Sequence, residues 1–405
     1  MKKRLLALTC FAVMGVSLLA CGKDTKTSAS DSQTSTSAEE SKVAESSVTT
    51  DESGSSESTS SAESSSSIEE SSTSESSSST KESSTPESSS IPESSSSTDS
   101  SEPAEKEKAF KYNTHPYVSI IDEKDVPKEY WDAFYNLCDA IHTGESTFEC
   151  ASAEAYDWAI SPSTLNLLCP VAVTKIKGES NDGTTPFENG VGRIYYQMPV
   201  DDYLKRQADF ETSIEELLNS ILEADDCDFE KVFKIYDYIS RNYVYQDDFV
   251  EDKGDGAVYV TINTKTGQCI DLAGVYSFLL YQLGIDNLRL GCNNETMAHE
   301  WIYVVLDGKG YHSDVTWSLY NPENDEQLLL RYFLMTGKVR EDTGCAVDDL
   351  TVGLLPKYWV NNSETKVVAD DESFVVPGCT YFVSLDEENH ILHYTLEEAP
   401  GEMKY

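Results

Sequence analysis

A formal net charge of −42 over 405 residues, from 72 acidic and 30 basic side chains, repels phosphate backbones and anionic head groups alike. Neither nucleic acid nor a bare membrane surface is therefore an expected partner. The composition is also uneven along the chain, with a Ser- and Glu-rich first quarter that contains almost nothing apolar, so the chain does not read as one uniform globule.

Residues 1–20 read as a signal peptide. Met1-Lys2-Lys3-Arg4 is basic, and Leu5 to Leu19 is an apolar run too short to span a bilayer comfortably. Leu18-Leu19-Ala20-Cys21, followed by Gly22, resembles the lipobox of bacterial lipoproteins. The resemblance implies cleavage before Cys21 and a diacylglycerol on its thiol, and two acyl chains anchor stably where one is marginal. Membrane association is expected through Cys21 only.

Residues 21–108 follow as a low-complexity segment such as Ser74 to Thr80. It cannot bury enough surface to offset the entropy of ordering, so it reads as a disordered tether. Like charges extend it to a reach on the order of 100 Å or more. That length suits a domain carried into or through the wall of a Gram-positive cell, on the extracellular face of its membrane.

Order is expected from about Phe110. Residues 109–222 form an α/β lead-in. Asp125 to Ile141 carries Trp131, Phe134, Leu137 and Ile141 at helical spacing behind Pro127. A second helix ends near Leu168, Arg193 to Met198 reads as a strand, and Ile214 to Ile221 is part of a further helix. Residues 223–345 form the core, opened by a helix over Phe229 to Tyr243 with one stripe of Val232, Ile235, Tyr236, Ile239 and Tyr243. Residues 346–405 read as a β extension with candidate strands at Phe374-Val375-Val376-Pro377 and Thr380 to Ser384.

Three short patterns in the core carry chemistry. Thr266-Gly267-Gln268-Cys269-Ile270-Asp271-Leu272-Ala273 sets a cysteine after a glycine, at the start of an apolar helix that Gly284 stops. A helix N-terminus favours a thiolate, and its free N–H groups can donate to an oxyanion. His299 then begins the alternating run to Leu306, and Asp307-Gly308 signals a type I′ hairpin. That turn pairs Leu306 with Lys309 and sets Asp314 opposite Trp301. Asp314 thereby becomes a diagonal neighbour of His299, roughly 7 Å away between backbones on the same face. Cys269 as nucleophile, His299 as base and Asp314 as the group that orients it follow from this placement.

These patterns are similar to those of the transglutaminase-like superfamily: a Gly-x-Cys-x-Asp/Gly-x-Ala helix start at Gly267 to Ala273, a His-x-Trp strand at His299 to Trp301, and an Asp-x-Thr-Trp strand at Asp314 to Trp317. The resemblance implies a papain-like α+β core, with the helix bearing Cys269 packed on an antiparallel sheet bearing His299 and Asp314. It implies a cysteine acyl-transferase or amide hydrolase working on amides through a thioester, and tethering at the surface suggests proteins, peptides or cell-wall peptide stems as substrates. Gln268 is the candidate for a second oxyanion donor.

The alternatives are a non-catalytic binding or display module on a stalk, and a precursor whose lead-in covers the cleft. Asp271 is expected to cap its helix, His312 to lie at the surface, and Trp301 and Trp317 to be core. His390 and His393, expected in a strand, would face opposite ways and make a poor metal pair. There is no phosphate-binding loop, dinucleotide fingerprint or zinc spacing, so no cofactor or metal is expected. Of ten cysteines, setting aside Cys10, Cys21 and Cys269 leaves Cys138, Cys150, Cys169, Cys227, Cys292, Cys345 and Cys379, an odd number that cannot all pair internally.

Overall fold

The computed structural model describes residues 109–179, 185–246, 256–293, 298–320, 327–344, 354–355 and 363–405. The expected signal peptide, Cys21 and the expected spacer lie outside the described residues. Those described fall in one compact unit. Among them no helix is long and apolar enough to cross a membrane.

The lead-in is α1 (Lys128–Thr143), β1 (Thr147–Glu149), α2 (Ala153–Ile160), α3 (Pro162–Leu168), the short strands β2 (Ile176–Lys177), β3 (Phe187–Glu188), β4 (Val191–Arg193) and β5 (Tyr195–Tyr196), and α4 (Val200–Ile221). Helix α1 buries Trp131, Phe134, Leu137 and Ile141, the expected stripe, with Pro127 as N-cap. Gly144 ends it at φ 73, a left-handed turn open to glycine without steric cost. The strand expected over Arg193 to Met198 is instead split between β4 and β5. Ile194 is buried between them and donates its N–H to Ser146.

The core continues with α5 (Asp228–Asn242), β6 (Val244–Tyr245), α6 (Ala257–Thr264), β7 (Thr266–Gly267) and α7 (Cys269–Gln282). Strands β8 (Asn287–Asn293), β9 (Ala298–Leu306) and β10 (Lys309–Ser313) then form an antiparallel sheet with β9 in the middle. Helix α7 is buried from Leu272 through Gln282, as its nearly uniform apolar sequence requires, and packs on β9 and on α5 and α6. Gly284, at φ 70, closes it: its N–H bonds to Tyr281, and that of Ile285 bonds to Leu280. The β9–β10 turn has Asp307 at φ 52 and Gly308 at φ 73, a type I′ pair. It sets the expected register, Leu306 opposite Lys309 and Ile302 opposite Ser313.

Beyond β10 the chain returns beside it. His312 and Met335 exchange backbone hydrogen bonds of 2.8 and 2.7 Å, which leads into the short helix α8 (Gly337–Asp342). The extension ends in an antiparallel sheet of β11 (Thr380–Asp386), β12 (Ile391–Leu396) and β13 (Ala399–Lys404). Phe374 to Pro377 is irregular rather than a strand; proline has no N–H to give a ladder. His390 sits at φ 53 in the turn before β12, not in a strand, and lies against Glu230, while His393 lies against Glu402. Phe229 stacks on Tyr405 at 4.2 Å, which holds the extension to α5. The lead-in is tied in as well: Asn113 donates to Gln282, and Asp125 accepts from Ser363 and Thr365. Cys138, Cys150, Cys169, Cys227 and Cys269 carry free thiols, and Cys379 is disulfide-bonded.

Helices α1 and α4 share one charged contact. The ring of His142 meets the Cys138 carbonyl at 2.7 Å and the Glu211 carboxylate at 2.7 Å. Burial alone would hold this imidazole neutral, but those two acceptors outweigh it and raise its pKa to about 9. A value raised on folding stabilises fully below the unfolded pKa near 6.5, and the effect is lost as pH rises through about 9. His142→Gln is expected to cost roughly 1.5–3 kcal/mol at pH 6 in urea denaturation, with the difference from the parent closing by about pH 10.

Candidate active site

Cys269 is the first residue of α7, half-buried, with Gln268 as N-cap. The Gln268 carbonyl accepts from the N–H groups of Asp271 and Leu272 at 3.0 and 2.9 Å. In return the Gln268 N–H donates to the Asp271 carboxylate at 2.9 Å. Asp271 therefore caps the helix, as expected. Burial raises its pKa against the pull of that N–H and of Arg289. At the first helical position the Cys269 N–H has no partner in the helix ladder and is available to an incoming acyl oxygen. Gln268, the candidate second oxyanion donor, is the N-cap of α7 in a capping box with Asp271.

His299 lies near the start of β9 and is 4% exposed, while Asp314, just past β10, is fully buried. The diagonal expected from the hairpin brings them together, with His299 Nε2 2.7 Å from Asp314 Oδ2. This leaves Nδ1 as the ring nitrogen facing the thiol, and a side-chain hydrogen bond does link His299 to Cys269. Burial alone would discharge the imidazole. The charge and hydrogen bond of Asp314, together with Cys269, reverse that and raise the His299 pKa to about 10. Asp314 is held at about 2: burial opposes ionisation, but His299 and Arg340 favour it more strongly. The three residues nominated from sequence therefore form one hydrogen-bonded chain.

The Asp-x-Thr-Trp pattern has a local reason. Asp314 Oδ1 accepts the backbone N–H groups of Thr316 and Trp317 at 3.0 and 3.3 Å, an Asx turn that starts the single helical turn Thr316–Ser318. It swings the Trp317 ring onto His299, with centroids 4.7 Å apart and planes 12° apart.

Arg340 of α8 carries no motif and was not nominated from sequence. It is fully buried, and its Nη1 lies 2.7 Å from Asp314 Oδ2, the oxygen that also serves His299. Its guanidinium carbon lies 3.9 Å from the ring of Trp301, a core residue as expected, and 4.5 Å from that of Trp317, which is only partly buried against the core, so both rings hold a cation.

His312 departs from its expected surface position. It is 2% exposed and accepts the Trp301 indole N–H at Nδ1 over 3.0 Å. The segment through Met335 covers β10, and burial with the Arg340 charge pushes the His312 pKa down to about 3, leaving it neutral. On the other face of β9, Glu300 lies 2.9 Å from Arg289 without an aligned hydrogen bond. Cys227, Glu230 and His390 bring potential ligand atoms within 4.8 Å of one another. There Glu230 already accepts the Cys227 N–H and the Tyr405 hydroxyl, so those bonds account for it as a helix cap.

A cysteine at a helix start, joined through a strand histidine to a buried aspartate, defines a thiol site on an α+β core. Residues 215–321 match the transglutaminase-like superfamily, and this segment of the chain is a transglutaminase-like domain. The chain is also similar to a solved structure described as a "Putative Cysteine Protease" from Cytophaga hutchinsonii, at 21% identity over 26% of this chain and 37% of that one, with a TM-score of 0.23. The periplasmic domain of TgpA from Pseudomonas aeruginosa bound to ethylmercury is similar at 20% identity over 29% of this chain and 47% of that one, with a TM-score of 0.24. The match spans less than half of either protein. No curated protein matches the chain.

Removing Asp314 would leave the Arg340 guanidinium buried without its counter-charge. Asp314→Ala is expected to lower folding stability by about 3–5 kcal/mol, measured by chemical denaturation; a loss under about 1 kcal/mol would contradict this pairing.

Proposed function

We propose that this chain is a cell-surface lipoprotein whose Cys269 attacks amide carbonyls of proteins or peptides and forms a thioester. One observation supports this above the rest: the hydrogen-bonded chain from the thiol at a helix start, through His299, to the buried carboxylate of Asp314.

In the proposed cycle the Cys269 proton passes to His299 Nδ1 as sulfur bonds to the amide carbon. The carbonyl oxygen takes the electron pair and accepts the Cys269 N–H. His299 then returns its proton to the leaving amine as the C–N bond breaks. Water or a second amine, deprotonated by the now neutral imidazole, attacks the thioester and releases the thiol. Attack by water makes the protein an amide hydrolase; attack by an amine makes it a cross-linker. Cys21, lipidated, and the spacer beyond it would carry this domain outward from the membrane, with wall peptide stems and surface proteins in reach.

Alkylation of Cys269 at pH 6 is expected to run at least about tenfold faster than at a denatured thiol and to fall to the denatured rate in His299→Ala. Equal rates in the folded and denatured parent would remove the activated nucleophile. Incubation with peptide mixtures should leave an acyl mass on Cys269. If no acyl mass appears and Cys269→Ala still captures partners, the domain is a binding module instead. Radiolabelled palmitate should enter the parent chain and be absent from Cys21→Ser; label retained in that variant would remove the lipid anchor.

A further inference from the structure

The proposed cycle includes a state that the resting site does not. Once the thioester has formed and the amine has left with its proton, sulfur is uncharged and His299 is neutral. Asp314 then remains fully buried beside a neutral ring. A buried carboxylate without a compensating charge takes up a proton, and a protonated Asp314 could no longer hold His299 with Nδ1 free to act as base.

Several charged or titratable groups approach this pair. His312 of β10 is neutral and spends Nδ1 on Trp301. Glu300, the neighbour of His299 on β9, faces Arg289 of β8. Tyr236 of α5 is bonded to Ser318 and to the Leu329 carbonyl, and burial holds its hydroxyl protonated. Tyr332 packs its ring on Trp317. Asp271 is committed to the cap of α7. Among the described residues Arg340 alone brings a permanent positive charge to Asp314 within hydrogen-bond distance. Its Nε and Nη2 have no hydrogen-bond partner among the described residues, and its Cζ lies over the rings of both Trp301 and Trp317. The guanidinium is thus aimed at one carboxylate oxygen. It also lies beyond the segment 215–321 that matches the family.

We propose that Arg340 is a positioning residue that keeps Asp314 ionised while His299 is uncharged, so that the imidazole stays oriented and available as base for the second half-reaction. The inference rests on the thioester cycle above and names a part of that same site. A lysine at this position keeps the charge, whereas glutamine keeps a hydrogen-bond donor and loses the charge, so the pair separates electrostatics from packing.

The test uses the full chain with Cys269→Ala, which carries no thiolate and stands in for the acylated state, so it does not depend on turnover. Isotope-edited NMR follows the His299 ring and the Asp314 carboxyl carbon across pH. With Arg340 present, Asp314 is expected to stay at its ionised shift while His299 titrates. An Asp314 signal that titrates together with His299 overturns the proposal, and this arm needs no change at Arg340. In the same background Arg340→Gln should raise the His299 midpoint by about one pH unit or more, and Arg340→Lys should leave it near the parent value. Equal midpoints in the glutamine and lysine chains also overturn it.

With Cys269 restored, Arg340→Gln should slow thioester hydrolysis about tenfold at pH 6 while slowing thioester formation less, because one unit is a tenfold fall in neutral imidazole. Unchanged hydrolysis overturns the proposal. Absence of any thioester in the parent counts against the cycle itself and leaves the NMR arms to decide the role of Arg340.

Discussion

The buried carboxylate of Asp314 is the point on which the site depends. Its two oxygens accept four hydrogen bonds, from His299, from Arg340, and from the backbone of Thr316 and Trp317. An ionised acid this deep is stable only when paired and saturated with donors. The four donors come from three features of the fold: β9, α8, and the turn that follows β10. The carboxylate therefore joins three pieces of chain, and it sets the ring of His299 at the same time.

The aromatic frame around that carboxylate follows from the same constraint. Trp301 and Trp317 both face the Arg340 guanidinium, and Trp317 also stacks on His299. Indole faces exclude water while still attracting a cation, which lets a guanidinium and an imidazole lie close together in a nearly dry pocket. His312 completes the frame by accepting the Trp301 indole N–H, so the ring that covers the cation is itself fixed in rotation. Cys269 stands outside this packed region, half-buried at the N-terminal end of α7.

The peripheral segments are tied to the helices behind the site. Asp125 of the lead-in holds Ser363 and Thr365, Asn113 bonds to Gln282 at the end of α7, and Tyr405 covers Phe229 and bonds to Glu230 at the start of α5. Helix α7 is thus gripped at its C-terminal end, and its partner α5 at its N-terminal end, by chain from far away in sequence. Helix α7 backs the sheet that carries His299, and α5 packs on α7, so the lead-in and extension connect to the Cys269–His299–Asp314 chain through packing.

Local pattern determined much of this protein. The stripe in α1, the uniformly apolar α7 stopped by Gly284, and the Asp307-Gly308 turn with its register could all be read from residues near one another. So could the nomination of Cys269, His299 and Asp314, because a type I′ turn propagates a fixed diagonal along two strands. Other features did not follow from local pattern. Arg340 lies 26 residues beyond Asp314 in a helix too short to carry a periodic signal, and only the return of the chain along β10 brings it under the carboxylate. The same return buries His312, which a lone histidine in a strand gives no reason to expect. Phe374 to Pro377 had the apolar content of a strand but no ladder to join. Sequence thus determined which side chains stand on one face of one hairpin, since that is a matter of period and turn. Tertiary structure decided which distant charge meets Asp314, since the pairing of a buried ion depends on which parts of the chain exclude water from it together.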